Sequence, residues 1–310
     1  MTTIKSKLLA EYSNGSNFVK IYEDGTKVRD WNGPNEFPDH CDVKITDFCE
    51  GANCPFCHEK STKRGLHGDL DLVLDMWKDL PAGVELAIGG GNPLDHPKLI
   101  PFLQELKNRG QIANITINQL HLDSHSEIIE KIIRENLIKG MGISIRNVDE
   151  MLDLYPCGTF FYHPHIVYHL IAGIHSFQDY QKLSQTNEKF LILGYKEFGF
   201  GAKYKERSFG LDDKINSWRR NLPLLMTSDK TVSFDNLAIK QLDLRRYFGK
   251  KEWEEKYMGD DGEFSFYVDA VKKEFGLNSC ATERFAINGT AREMFQELKK
   301  NLTLAENGVI

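Results

Sequence analysis

The chain has no apolar run near the roughly 20 residues that span a bilayer, so no membrane partner is expected. Its start, Met1-Thr-Thr-Ile-Lys, lacks the apolar core of a secretory signal. Gly/Ser linkers and low-complexity stretches are missing too, which points to one catalytic domain. A basic bias is also absent: 39 Lys and Arg stand against 45 Asp and Glu, scattered among one another, for a net charge of −6. Free nucleic acid is therefore not an expected partner. Past residue 240 cysteine is scarce, with Cys280 alone there. Without an export signal, the six cysteines read as thiols of a reduced, cytoplasmic compartment, available to metal or redox chemistry. What is present is 310 residues, 41% hydrophobic and 27% charged, enough for a sizeable core.

The first forty residues read as a small β-hairpin extension. Leu8 to Tyr12 and Phe18 to Tyr22 are short apolar runs, Glu23-Asp24-Gly25 is a turn, and Lys27 to Trp31 can return as a strand. From residue 41 strands and helices alternate. Strands are expected at Asp42–Thr46, Val84–Ile88, Ile112–Asn118, Gly142–Arg146, His165–Ile171, Phe190–Tyr195 and Thr231–Phe234. Helical spacing marks Leu70–Leu80, Leu99–Asn108, Ser126–Asn136, Phe177–Thr186 and Asp212–Asn221. Such repetition predicts an α/β fold with a parallel sheet. Strands buried on both faces should be apolar on both. Here one face is repeatedly polar: Asn114, Thr116 and Asn118 oppose Ile115 and Ile117, while Ser144 and Arg146 oppose Ile143 and Ile145. A partly open barrel with a wet, ligand-filled lumen accounts for that.

Three of the six cysteines fall within nine residues, in Cys49-Glu50-Gly51-Ala52-Asn53-Cys54-Pro55-Phe56-Cys57-His58, directly after the first parallel strand. Three thiolates in one loop can wrap a cuboidal iron–sulfur cluster and leave its fourth iron open. Two other readings stand beside this one. Cys49, Cys54, Cys57 and His58 could form a cramped zinc site. Cys54-Pro55-Phe56-Cys57 could be a thioredoxin-like pair opening a helix, with Cys49 idle.

The segment resembles the radical S-adenosylmethionine (radical SAM) superfamily, whose usual pattern has three cysteines spaced by three and then two residues. Phe56 fills the aromatic position before the last cysteine. The first gap, Glu50 to Asn53, is one residue longer than usual. A second segment, Gly89-Gly90-Gly91-Asn92-Pro93, resembles the superfamily's glycine-rich motif after the second strand. Its glycines allow close backbone approach to a ligand, and Asn92 stands where an acid is common.

The resemblance covers about residues 41 to 240. It implies a partial (β/α)6 TIM-like barrel over 41–240, after the hairpin extension of 1–40 and before a C-terminal α/β extension, 241–310, that closes the barrel. It further implies a [4Fe-4S] cluster on Cys49, Cys54 and Cys57, S-adenosyl-L-methionine (SAM) on the open iron, and an electron donor such as flavodoxin or ferredoxin. One electron then breaks the sulfonium bond, and a 5′-deoxyadenosyl radical takes hydrogen from substrate. Asn118, Ser144, Arg146, His169 and Tyr195, with the backbone of Gly194 and Lys196 beside Tyr195 at the end of the sixth strand, take cofactor-binding positions on the same resemblance. Compact members that cleave the modified base queuine share this size and single cluster.

The remaining lumen supplies substrate candidates: Lys44, Glu85, Asp235, Asn236 and Asp243. Asp235 and Asn236 read equally as a helix cap. Cys280 could donate a hydrogen atom or pack as a small buried residue; Cys41 and Cys157 read as structural. The expectation is a radical lyase or related enzyme acting on a small, polar, nucleobase-like molecule. A peptide-modifying enzyme, or a non-catalytic metal-binding protein, is the alternative.

Overall fold

The computed structural model describes residues 6–51, 54–154 and 163–306. Met1 to Lys5, Ala52, Asn53 and Cys157 lie outside the described residues.

The N-terminal unit is an antiparallel sheet of three strands, β1 (Leu8–Asn14), β2 (Asn17–Tyr22) and β3 (Lys27–Asp30), on the three short runs of the sequence. A lone hairpin is marginal in water, and the third strand adds a buried face. Two buried asparagines tie it to the next segment. Asn14 donates to the Phe37 carbonyl (2.7 Å) and to Asp39 (2.9 Å), and Asn17 to the Gly33 carbonyl (2.7 Å).

The main sheet has ten strands in the order β10-β9-β8-β7-β6-β5-β4-β11-β12-β13. These are β4 (His40–Thr46), β5 (Glu85–Gly90), β6 (Ile112–Asn118), β7 (Gly140–Ser144), β8 (Ile166–Ile171), β9 (Lys189–Leu193), β10 (Thr231–Phe234), β11 (Ser265–Asp269), β12 (Glu274–Gly276) and β13 (Phe285–Ala286). From β10 to β11 every pairing is parallel. The barrel wall thus has eight parallel strands, two more than the six expected. Seven fall where the periodicity puts them. The eighth, β11, returns from the C-terminal region to pair beside β4, with Tyr267 opposite Asp42 and Asp269 opposite Lys44.

Helices cover the outer face: α1 (Leu70–Met76), α2 (Leu99–Asn108), α3 (Ser126–Arg134), α4 (Val148–Leu154), α5 (Phe177–Leu183), α6 (Phe200–Arg207), α7 (Leu211–Met226), α8 (Asn236–Leu242), α9 (Lys250–Lys256) and α10 (Ala291–Glu306). Helix α2 shows why they pack. Leu99, Phe102, Leu103 and Leu106 recur at helical spacing and are all buried. They meet the outward side chains of the strands, such as Leu86, Ile88, Ile115 and Ile117, in one continuous core. Cys41 belongs to that core, fully buried, and burial pushes its thiol well up.

The inward face is different. Asp42 and Lys44, Ala87 and Gly89, Thr116, Ser144 and His169 line a lumen of about 640 Å³. Small residues on β5 and β7 keep it open. Lys27 and Arg29 of β3 line it too. Lys27 pairs with Glu85 at the start of β5, and Arg29 with Asp39 just before β4 (2.6 Å), so the N-terminal sheet stands at the N-terminal ends of these strands. Across the lumen, Asn236 after β10 donates to Asp261 before β11 (2.8 Å). Asn278 donates to the other oxygen of Asp261 (2.7 Å).

Candidate cofactor and substrate site

The cysteine loop leaves β4 at Thr46 and folds back on itself. Asp47 N–H donates to the Leu66 carbonyl (2.8 Å), Cys49 N–H to the Thr62 carbonyl (3.0 Å) and Thr62 N–H to the Asp47 carbonyl (3.1 Å). The glycine-rich turn after β5 is zipped onto it: Gly91 N–H donates to the Thr46 carbonyl and Asn92 N–H to the Phe48 carbonyl, both at 2.7 Å. A Cβ on Gly91 would strike that same Phe48 carbonyl, and Gly90 holds a φ of 119° that disfavours side chains. On the other flank, Phe200 at the start of α6 donates its N–H to the Cys57 carbonyl (2.9 Å), and Phe56 meets Tyr204 edge-on at 5.7 Å. The loop is held on both sides by backbone contacts.

Cys49, Cys54, Cys57 and Phe56 face one cavity of about 180 Å³. Its wall is shared with the larger lumen through Gly90, Thr116, Ser144 and His169, among others. Burial pushes the Cys49 thiol up to about 11, and the charges of Cys54 and Cys57 add to the shift. Cys54 is raised by burial and by Cys57, with Arg146 opposing. Three thiolates this close repel one another unless a cationic group lies between them. Among the described residues, no three of His, Cys, Asp or Glu converge as the ligands of a single ion would. A cuboidal cluster asks for less convergence, since each thiolate binds a different corner. Cys54 to Cys57 form a turn, not the start of a helix, so the thioredoxin-like reading lacks its helix dipole.

Two details of the chain suit bound cofactors. Ser61 is 5% exposed and lines the cysteine cavity, yet its hydroxyl has no partner among the described residues. Gly89 has an ordinary φ, and a Cβ built there meets nothing within 4 Å. Neither conformation nor protein packing requires glycine at 89; its missing side chain leaves lumen volume free for a ligand.

The other sequence candidates separate. Asn118 sits by Cys54, its amide 4.0 Å from the sulfur. Ser144 and His169 face both cavities, and burial holds His169 down to about 4, hence neutral. Arg146 is corrected: β7 ends at Ser144, and its amide is fixed by Gln119 (2.9 Å), with the guanidinium acting on Cys54 from an exposed position. The Asn92 side chain does not face the cavity. Its oxygen accepts from Leu94 N–H (3.3 Å), and its amide donates to Asp95 (2.9 Å), so an ammonium finds no acceptor there. Pro93 starts the short helical turn that follows and is buried. Tyr195 turns away as well. Its hydroxyl donates to the Gly201 carbonyl (2.6 Å), and Gln241 occupies its backbone N–H and carbonyl (both 2.8 Å).

Among the substrate candidates, Lys44 lines the lumen but is saturated by Asp47 (2.5 Å), Asp269 (3.0 Å) and Glu59 (3.1 Å). Burial opposes ionisation of Glu59, yet its bonds to His58 and Lys44 prevail and hold the carboxyl below its usual range. Glu85 is spent on Lys27 and Asn114 at the strand start. Asp235 caps α8, its one oxygen accepting from Gly194 N–H (2.9 Å) and Ala238 N–H (2.7 Å). Asn236 bridges the lumen to Asp261. Asp243 is not in the site: it ends α8 in the left-handed conformation, exposed, near Arg246. Cys280 faces a neighbouring cavity, one wall away from the lumen, with Ser279 between.

Several site residues escaped the sequence. Asp42 points into the lumen and forms no ion pair among the described residues. Its period-2 relation to Lys44 was a readable signal. The Lys196 side chain, on a residue expected only for its backbone, reaches Ser279 (2.9 Å) and His58 (3.4 Å) but no carboxylate among the described residues. His121, 3% exposed, places Nε2 3.4 Å from the Cys49 sulfur. It ends the single 3-10 turn Gln119–His121 that follows β6, too short for a periodicity to mark it.

The family model described as "Radical SAM superfamily" matches residues 43–183, from within β4 to the end of α5. The chain carries a radical SAM domain. Enzymes of that superfamily use a [4Fe-4S] cluster and SAM as cofactors. Two solved structures of Streptococcus suis SuiB share the fold. One, bound to the precursor peptide SuiA, matches with a TM-score of 0.54 at 15% identity. The other, bound to S-adenosylmethionine, gives 0.51 at 14%. Each match covers 79% of this chain, which spans only 60–61% of SuiB. No curated protein matches the chain in sequence. Among the described residues no helix is long and apolar enough to cross a membrane.

Proposed function

We propose that Cys49, Cys54 and Cys57 hold the [4Fe-4S] cluster, that SAM lies against Gly89 and the shared wall, and that the lumen receives a small polar substrate. What carries this reading is the position of the three thiols on one cavity whose wall opens onto a second, polar one. When bound, the cluster supplies the electron that cleaves SAM. The chain's own residues position and shield. Gly90 and Gly91 lock the cysteine loop to β5, α6 packs over Cys57, and the outward apolar layer keeps the site from the solvent side.

The substrate side is read from charges that the fold leaves over. Asp42 and Lys196 both line the lumen without an ion-pair partner among the described residues. An amine for Asp42 and an acidic or carbonyl group for Lys196 describe a small molecule with both kinds of group. A cavity of about 640 Å³ suits such a ligand. The narrower form, a queuine-like base cleaved at a C–N bond, rests on the sequence resemblance alone. A peptide substrate is the second reading, favoured by the shared fold with a structure bound to its precursor peptide.

The test is deuterium transfer into 5′-deoxyadenosine, screened anaerobically with reduced protein, SAM and deuterated candidates. Small amino acids, nucleobases including queuine, and short peptides form the three arms. Label arriving from a small polar compound supports the proposal. Label from peptides alone transfers the assignment to the second reading.

A further inference from the structure

The cysteine cavity contains more polar chemistry than holding three thiols requires. His121 is 3% exposed and has Nε2 3.4 Å from the Cys49 sulfur. A thiolate can only accept, so toward it Nε2 must carry the proton. The ring is backed by His125 at 5.5 Å, edge-on, and His125 is anchored to Asp95 (2.8 Å). Asp95 in turn receives the Asn92 amide (2.9 Å). This part-buried series backs His121 beside Cys49, and it gives the Asn92 side chain its place behind the glycine turn. Ser61 is the second donor. It follows Cys57 by four residues, lines the same cavity, is 5% exposed, and its hydroxyl has no partner among the described residues. Leaving a buried hydroxyl unpaired is unfavourable, so a partner supplied by a bound group is the simplest account.

We propose that His121 and Ser61 are hydrogen-bond donors to the sulfur shell of the cluster, His121 to the Cys49 thiolate and Ser61 to a second sulfur of the same group, and that together they raise its reduction potential. The inference rests on the cluster assignment proposed above. Its physical basis is charge. Reduction adds an electron to an already anionic cluster, and donors aimed at its sulfurs stabilise the reduced form more than the oxidised one. Both are positioning residues that act through the cluster; neither is placed against substrate.

The experiment is an anaerobic redox titration of the reconstituted full chain, followed by the electron paramagnetic resonance of the reduced cluster. Ser61→Ala and His121→Leu remove the donors; Ser61→Thr and His121→Gln keep one at each position. Expected are lower midpoint potentials in the first pair and near-native potentials in the second, all at native iron content. Ser61→Ala deletes a single oxygen, so it decides for the cavity even where His121→Leu disturbs folding. A Ser61→Ala potential equal to the native one overturns the role of Ser61; equal potentials for the Leu and Gln variants overturn that of His121. Wild-type protein that binds no iron–sulfur cluster instead overturns the assignment beneath both, and metal analysis before the titration tells the two failures apart.

Discussion

At the scale of single residues, the three glycines of the second motif do different things. Gly90 and Gly91 serve the protein's own packing, while Gly89 faces open lumen. Gly91→Ala should cost about 1–3 kcal/mol of stability, because its Cβ overlaps the Phe48 carbonyl. Gly89→Val should leave stability within about 0.5 kcal/mol, yet weaken SAM binding by at least about tenfold, or 1.4 kcal/mol. Urea melts and equilibrium binding of SAM to loaded protein check the pair. Equal loss of stability in both variants would remove the distinction. The motif itself was legible in the sequence, but this division was not, since it depends on which backbone lies opposite each glycine. The same limit explains Asn92 and Tyr195. Both stand in the right stretch of chain, and both side chains are claimed by partners close in sequence, Asp95 three residues on for one and the Gly201 carbonyl six residues on for the other, through turns whose exact path the pattern does not report.

At the scale of elements, strand positions were readable because parallel strands with an apolar outer face keep a strict period of two. Their ends were not. β7 stops at Ser144, since the Gln119 side chain, not a neighbouring strand, takes the Arg146 N–H. The parallel place of β11 beside β4 involves pairing across more than two hundred residues, which no local pattern reports. The join between β10 and β11 is made by side chains. Asp261 receives Asn236 and Asn278, so Asp261→Ala should strand two amides and cost about 1–3 kcal/mol. Exposed Asp243→Ala should change stability by less than about 0.5 kcal/mol. Denaturant midpoints for the two variants test this, and similar values would mean that the bridge contributes nothing.

At the scale of the whole molecule, buried neutral histidines set an acid limit. Burial holds His175 down to about 4 from 6.5, with Asp179 opposing and Lys214 assisting, and its Nδ1 accepts from Ile171 N–H (3.0 Å). The unfolded chain binds this proton first, so the stability tied to His175 is present above pH 6.5 and lost as pH falls toward 4. His169 follows the same sign. Urea midpoints should therefore drop between pH 7 and pH 5, with a shallower slope in His175→Gln; parallel slopes would exclude His175 as a source. The fold and its cofactors were legible because they are written in a few contiguous residues, whereas the substrate is written in leftover charges, Asp42 and Lys196, that only the closed lumen reveals. The central claim is that Cys49, Cys54 and Cys57 hold one cluster despite the long gap between the first two. Anaerobic reconstitution followed by iron, sulfide and zinc analysis, with 5′-deoxyadenosine assayed on the same samples, tests it most directly. The account predicts about four iron and four sulfide per chain, reductive 5′-deoxyadenosine formation, and loss of that activity in Cys49→Ala, Cys54→Ala and Cys57→Ala alike. One zinc and no iron, or full activity in Cys49→Ala, would contradict it.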